Sequence, residues 1–507
     1  GERFARAAVE RGGGLRATEL LARTLLWQGR PDEAEAALAD FAPDTLDQPQ
    51  LISWGGVRIG NLFFVAQDAE KADEVLALLK ERVTHPPLAL IVTAWSSPIA
   101  AFENRLEEAL AASEDVLARP DALPWAVEHA AFGGMVALAL MGRGSEVAPM
   151  ASRFHEVMNM TDGLLRYPAS LGEMLGMILT GELDLAQRRA DESNEFSSAG
   201  HFLAWAMANI LLGMVDLAKG RLPDAATRNE QALAALVGDK SGSWAYPARI
   251  TLVQAYAALG KVEDAQRALA DAQARFGRHV AIFGPQLRLA EAWLAAAEGT
   301  VTPAIAKAHM AAAEAAEAKQ YAVEADVLHT AARFGDKTVW ERLAELAGDL
   351  DGKLIEVHAR HAQAVAADDG AALDSAAAEY ERLGALLSAA DAAAQAASAH
   401  ERAEGRGGAA GMHSRRAFLE SAAAANRLAA ACGGAATPTL RAAAQPLPLT
   451  VREREIANLV AAGLSNKEIA ERLTVSVRTV EGHLYRACAK LDVADREALA
   501  DLLRSAG

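Results

Sequence analysis

The chain has 507 residues, too many for one hydrophobic core, and it is rich in Ala, Leu and Val with 5% aromatic residues and little β-branched alternation. That composition points to an all-α protein of at least two parts. A formal net charge of −17 argues against wrapping nucleic acid along its length, and 2 cysteines, Cys432 and Cys488, exclude a disulfide framework or a cysteine metal cluster, so a reducing cytoplasm is expected.

The chain begins at Gly1, and Phe4 to Glu10 reads as helix without a starting cap, as if from the middle of an array in a longer protein. A short pattern then recurs at helix junctions: Gly29-Arg-Pro-Asp-Glu-Ala34, Gly181-Glu-Leu-Asp-Leu-Ala186, Gly220-Arg-Leu-Pro-Asp-Ala225, Gly260-Lys-Val-Glu-Asp-Ala265 and Gly299-Thr-Val-Thr-Pro-Ala304. Asn104 to Ala109 and Gly142 to Val147 fit more loosely, and Gln67-Asp68 falls where another junction is due. From Asn104 to Gly299 the junctions lie 38 to 40 residues apart. Gly or Asn takes the left-handed conformation that ends one helix, Pro, Asp or Glu suits the first turn of the next, and Ala permits close packing. Each unit is therefore a helical hairpin. Hairpins bury their apolar faces only by stacking, which predicts a tetratricopeptide-like superhelical solenoid with a somewhat longer period.

The most apolar stretch, Phe202 to Ala218, is interrupted by Asn209 and Asp216 before it reaches spanning length, so a buried helix and no membrane contact are expected. Trp54, Trp95, Trp125, Trp205, Trp244 and Trp293 read as fillers between stacked hairpins. After Gly299 the period decays, with junctions at Gly335 and Gly370, and the array is extended through the alanine-rich stretch from Ala371 to Ala431. His358 and His361 lie three apart on a helix without Cys or acidic partners at ligand spacing, and are expected on its surface rather than on a metal. Gly405 to Ala410 resembles a dinucleotide fingerprint only superficially, because no strand precedes it, and no Gly-x-x-x-x-Gly-Lys-[Ser/Thr] run occurs. No metal, cofactor or catalysed reaction is expected. Residues 432–448, with Gly-Gly and three prolines, read as a linker that lets the C-terminal segment reorient.

From Leu449 onward each helix carries its own start signal. Thr450-Val-Arg-Glu453 and Ser465-Asn-Lys-Glu468 both place a hydroxyl three residues ahead of a carboxylate, the capping-box arrangement, and Ser476 and Asp495 are N-caps for two further helices. Gly463 ends the first helix. Ile456, Leu459 and Val460, then Ile469 and Leu473, then Val480, Leu484, Ala487 and Leu491 repeat at helical spacing. The tight connection from Leu473 to Val477 makes the second and third helices a helix-turn-helix. Arg478, Thr479, Glu481, Gly482, Tyr485 and Arg486 fall mostly off the buried stripe, where donors and acceptors could meet base edges and phosphates. Positive and negative side chains balance in this segment, so the whole −17 falls before Leu449.

Leu-Thr-Val-Arg-Glu-Arg-Glu, Gly-Leu-Ser-Asn-Lys-Glu-Ile-Ala, Thr-Val-Glu-Gly-His-Leu and Lys-Leu together resemble the LuxR-type (GerE-type) DNA-binding domain over residues 449–507. Ala487 and Asp492 depart from that family's usual large aliphatic residue and glycine. Asp tolerates the left-handed conformation such a helix stop needs. The resemblance implies that the third helix reads the major groove, that the fourth, Asp495 to Arg504, contacts a second copy, and that Asn466, Lys467, Ser476, Arg478, Thr479, Val480, Glu481, His483, Arg486 and Lys490 face DNA. The repeats over residues 1–431 resemble the sensor region of large LuxR-type regulators of the maltose-activator kind, which carry an ATPase upstream. Together these imply a bacterial transcriptional regulator that binds double-stranded DNA as a homodimer, under a protein or small-molecule signal received by the array. The alternative is an acidic helical-repeat scaffold whose terminal module is vestigial or serves only to dimerise.

Overall fold

In a computed structural model describing residues 1–161, 165–197, 202–236, 242–404, 409–444, 449–491 and 493–500, the chain is all-α, with no strand among the described residues. Helices Pro86–Phe102, Pro124–Met141, Arg166–Thr180, Phe202–Ala218, Tyr246–Ala258 and Gly284–Ala297 stack side by side as one layer. Their hairpin partners Leu106–Leu117, Gly144–Val157, Leu183–Ser197, Leu222–Ala235, Val262–Ala274 and Val301–Glu317 form the other.

The junction chemistry explains the stacking. Gly29, Gly142, Gly181, Gly220, Gly260 and Gly299 all take positive φ, and so do the two expected non-glycine junctions, Gln67 (φ 62°) and Asn104 (φ 66°). After each turn the next amide reaches back to close the previous helix, as in Glu182 N–H to Met177 O (2.8 Å) and Thr300 N–H to Ala295 O (2.9 Å). The small residue five positions on is fully buried at Ala34, Ala72, Ala109, Ala186, Ala225, Ala265 and Ala304. A methyl there lets the two helices of a hairpin approach at close-packed distance.

Later parts of the chain run along this row of turns in the same order. A Cβ on Gly142 would meet Leu350 at 2.5 Å, on Gly181 Leu354 at 2.9 Å, on Gly220 the Leu387 backbone at 2.8 Å, and on Gly260 Ala436 at 3.4 Å. Gly299 faces Asn458 of the terminal module. Glycine at these turns thus serves both the left-handed backbone and the close passage of the returning chain.

Three expectations need correction. Gly370 is not a junction: Asp368 takes the left-handed conformation (φ 56°), Asp369 caps the next helix, and Gly370 lies inside it against His400. Second, the described part of the supposed linker is a packed strap. Cys432 and Thr437 are buried, Ala436 N–H donates to Ala258 O (2.8 Å), and Pro438–Ala444 is a short helix whose Leu440 joins the array's core; residues 445–448 lie outside the described set. Third, His358 and His361 are 4% and 0% exposed rather than on the surface, because a polar network absorbs their ring nitrogens.

Among the described residues one helix, Pro124–Met141, is long and apolar enough to cross a membrane, and most of it is buried inside the array. The expected stretch Phe202–Ala218 is a mostly buried helix, with Asp216 neutralised by Arg221 and Arg228.

Candidate nucleic-acid interface

The terminal module forms from its local signals. Thr450 and Glu453 cap each other's amides at the start of Val451–Ala461, and Ser465 and Glu468 do so for Asn466–Leu473. Gly463 (φ 89°) ends the first helix. Thr474 ends the second in the left-handed region (φ 55°, ψ 46°), where a β-branched residue is strained. Ser476 Oγ accepts from Thr479 N–H (3.1 Å) and starts Val477–Leu491. Asp495 caps a fourth helix, described as far as Ala500, by accepting from Ala498 N–H (2.9 Å).

Ile456, Leu459, Val460, Ile469, Leu473, Val480, Leu484, Ala487 and Leu499 make a small core of their own, with Leu491 packed at its edge. Every core position read from the helical spacing belongs to it. Asp492 and Asp501 to Gly507 lie outside the described residues, so the expected helix stop at Asp492 and the Arg504 end of the dimer helix do too.

The expected DNA-facing residues divide into four groups. Lys467, Ser476, Arg478, Thr479, Glu481 and Arg486 are exposed together with Tyr485, on or beside one side of the helix-turn-helix. Asn466 and His483 are half-buried and engaged: Asn466 Oδ1 accepts from Arg496, and His483 Nδ1 pairs with Arg486 Nη2 (2.9 Å). Burial, then the neighbouring Arg486, hold the His483 imidazolium form down, so the ring is predominantly neutral at neutral pH. Val480 is a correction. It is 0% exposed in the module's core and cannot reach a base edge, because the spacing that puts it near DNA-facing residues also puts it on the apolar stripe.

Lys490 is exposed, but its ammonium donates to Glu453 Oε2 (2.6 Å), tying the end of the third helix to the start of the first. Burial works to raise the Glu453 carboxyl, but Lys490 and the Thr450 amide and hydroxyl outweigh it and hold the group down at about 2. Arg486 Nε adds a contact at 3.5 Å. Glu453 and Glu455 are both buried, which draws two of the module's negative charges away from the exposed face. The two helices of the helix-turn-helix then carry five cations against three carboxylates, a mild positive bias hidden within a balanced total.

Nothing in the sequence pattern marks the surface that holds the module to the array. Glu455 Oε1 and Oε2 accept from the Thr302 amide (3.1 Å) and hydroxyl (3.0 Å) at the start of helix Val301–Glu317, where a helix N-terminus favours a carboxylate. Arg452 donates to the same carboxylate (2.6 Å), and Arg472 pairs with Glu298 (2.8 Å). The contact uses the back of the module and leaves Arg478, Thr479 and Glu481 exposed.

Residues 447–503 match the family of bacterial regulatory proteins called the luxR family, so this segment is a LuxR-family helix-turn-helix domain. Over 53 residues the chain is 55% identical to a protein of Mycobacterium bovis named as an HTH-type transcriptional regulator, covering 10% of this chain and 6% of that one. It is 48% identical over 56 residues to the tetrathionate response regulatory protein of Salmonella typhimurium (11% and 26% covered), and 50% over 48 residues to the transcriptional regulatory protein LiaR of Bacillus subtilis (10% and 23%). The matched segment thus spans about a quarter or less of these relatives. The crystal structure of a Rap protein complexed with competence and sporulation factor superposes with a TM-score of 0.44 at 13% identity, covering 66% of this chain and 99% of that one.

Proposed function

We propose that the chain is a DNA-binding transcriptional regulator, without catalytic activity of its own, whose helix-turn-helix reads the major groove as a pair of copies while the helical array controls that pairing. The observation that carries the reading is the exposed row Arg478, Thr479, Glu481 and Arg486, backed by the buried stripe Val480, Leu484 and Ala487. A helix fixed on one side and polar on the other is what groove entry requires. Arg478 suits a phosphate or guanine and Glu481 suits the exocyclic amine of cytosine. Lys467 and the outward amides at the start of Asn466–Leu473 suit the backbone. Pairing runs through the helix that begins at Asp495.

Control passes through the docking contact. Glu455 and Arg472 orient the module on the array, and the packed strap shortens its reach to a second copy. Releasing both frees two modules to engage paired half-sites, raising effective concentration without a new base contact.

The test is binding by the whole chain to genomic fragments, including DNA upstream of its own gene, at fixed salt. Glu481→Ala is expected to lose about tenfold in preference for its best site, and Arg478→Ala to weaken binding on any sequence if it holds phosphate. Wild-type binding no better than to bulk DNA, with both variants unchanged, would establish the scaffold reading instead.

A further inference from the structure

A cavity of about 220 Å³ opens where the returning helices Lys353–Ala367 and Leu386–Glu404 close over the array, with apolar walls from Leu179, Met214, Ile250 and Trp293. Its polar lining is unevenly satisfied. Gln286 Oε1 is buried with no hydrogen-bond partner. Arg333 Nε donates to Asp391 Oδ2 (2.9 Å), while Nη2, ion-paired with that same oxygen at 2.8 Å, makes no aligned hydrogen bond. Buried polar atoms are rarely left this way, because an unmade bond leaves the cost of stripping water from the group uncompensated.

The third polar group follows from the histidine network. Gln395 spends its amide nitrogen on the Ala332 and Arg333 carbonyls, so its Oε1 accepts from His361 Nε2 (2.6 Å). Neutral His361 is then bare at Nδ1 and accepts from His329 Nε2 (2.9 Å). Tyr380 Oη, 2.8 Å from the same protonated His329 Nε2, turns its own hydrogen toward His358 Nδ1 (2.8 Å). His358 therefore carries its proton on Nε2, the remaining polar atom of a ring that lines the cavity. Burial keeps all three imidazoles neutral, and among the described residues no hydrogen bond is formed to His358 Nε2.

We propose that this cavity is an effector site for an uncharged, largely apolar molecule of about two fused rings, bearing a carbonyl-type acceptor for His358 and Arg333 and an N–H or O–H donor for Gln286. The charge follows from Asp391, which already pairs with Arg333, and from Asp326, a second carboxyl in the lining that burial pushes toward its neutral form, so an anionic ligand would be buried uncompensated. The size follows from cavity volumes, since about 150 Å³ takes one benzene ring. The site also sits on the strap's anchor. Asp391 accepts from the Thr437 hydroxyl, and the Arg333 carbonyl accepts from Thr439 Oγ1 (2.5 Å), so a ligand that engages Arg333 bears on the segment leading to the DNA-binding module.

The effector role rests on the regulator reading above, whereas binding is measured without DNA and stands or falls separately. The probe is 2-quinolone, a bicyclic lactam with C=O and N–H, titrated calorimetrically into the whole chain beside naphthalene, which has neither group. One saturable site is expected for the lactam, at least tenfold weaker binding for naphthalene, a two- to tenfold loss in Gln286→Leu and in His358→Phe, and slower amide exchange at 437–441 on binding. Gln286→Leu lies outside the histidine network and keeps the test decisive if His358→Phe misfolds. No saturable lactam binding at millimolar concentration, equal binding of naphthalene, or unchanged affinity in Gln286→Leu would overturn the site. Unchanged exchange along the strap would overturn its role as an effector site.

Discussion

The array and the terminal module handle buried charge differently. In the array, His329, His358, His361, Arg333 and Asp391 lie deep between helices and are tied to one another through a single connected network. In the module, the buried carboxylates Glu453 and Glu455 lie near the start of helix Val451–Ala461 and are reached from the rim by Lys490, Arg486 and Arg452. The array's network acts as a unit and stands or falls together, whereas the module depends on a small apolar core and helix caps, each contributing locally. A long array that holds a strap in place and a small module built from local signals are served by these two solutions respectively.

The largest expected effect breaks the array's side of that contrast. Asp391→Ala leaves Arg333 buried without its counter-charge and removes the acceptor for Thr437, so about 3–5 kcal/mol should be lost. Denaturant unfolding followed by tryptophan fluorescence reads this cleanly, because every tryptophan lies before the module. Amide exchange at 437–441 should rise as well, and a loss below 1 kcal/mol would mean that the network is not cooperative.

Acid separates the two regions more finely. The buried histidines have folded pKa values below the ordinary 6.5, His361 at about 4, so the unfolded chain binds protons first as pH falls. The array's stability should therefore be fully present above pH 6.5 and decline from there toward pH 4, with on the order of 2 kcal/mol lost by pH 5 through His361 alone. Glu453 is depressed from 4.5 to about 2, so its contribution is intact above pH 4.5 and lost only between there and pH 2. Unfolding midpoints by tryptophan fluorescence, and amide exchange within 451–491, should fall in that order, and His361→Gln should flatten the first decline.

The smallest effect sharpens the view of the module as locally built. Thr474→Gly removes the strain of a β-branched residue at φ 55° and should stabilise the module by about 1 kcal/mol at most, read by amide exchange in its core, with no change in the array.

Much of this was legible in the sequence because it is local. A glycine or asparagine followed five residues on by a small residue announces a hairpin, and even Gln67, without glycine's freedom, was betrayed by its place in the period. The caps at Thr450 and Ser465 were equally plain, since a hydroxyl and a carboxylate three apart need no distant partner, and Ser476 caps the next helix through its own hydroxyl. Whatever depends on distant pairing was hidden. His358 and His361 looked like surface residues because Tyr380 and Gln395, which absorb them, stand 22 and 34 positions away. Glu455 reads as one more charge in a charged helix until Thr302, 153 residues earlier, is brought beside it. Gly433 and the prolines suggested a loose tether, yet the buried residues beside and between them, Cys432, Thr437 and Leu440, pack it down.

Control of DNA reading by the array is tested most directly from the array's side of the docking contact, leaving the module untouched. Glu298→Gln with Thr302→Val removes the partner of Arg472 and one of the two bonds to Glu455, together about 1.5 kcal/mol of docking, or roughly tenfold. Binding of wild-type and doubly substituted whole chain is compared on DNA with two half-sites and with one. The substituted chain should bind the paired site about tenfold more tightly and the single site unchanged. Equal affinities of the two proteins on the paired site, or weaker binding by the substituted one, would contradict a restraining array.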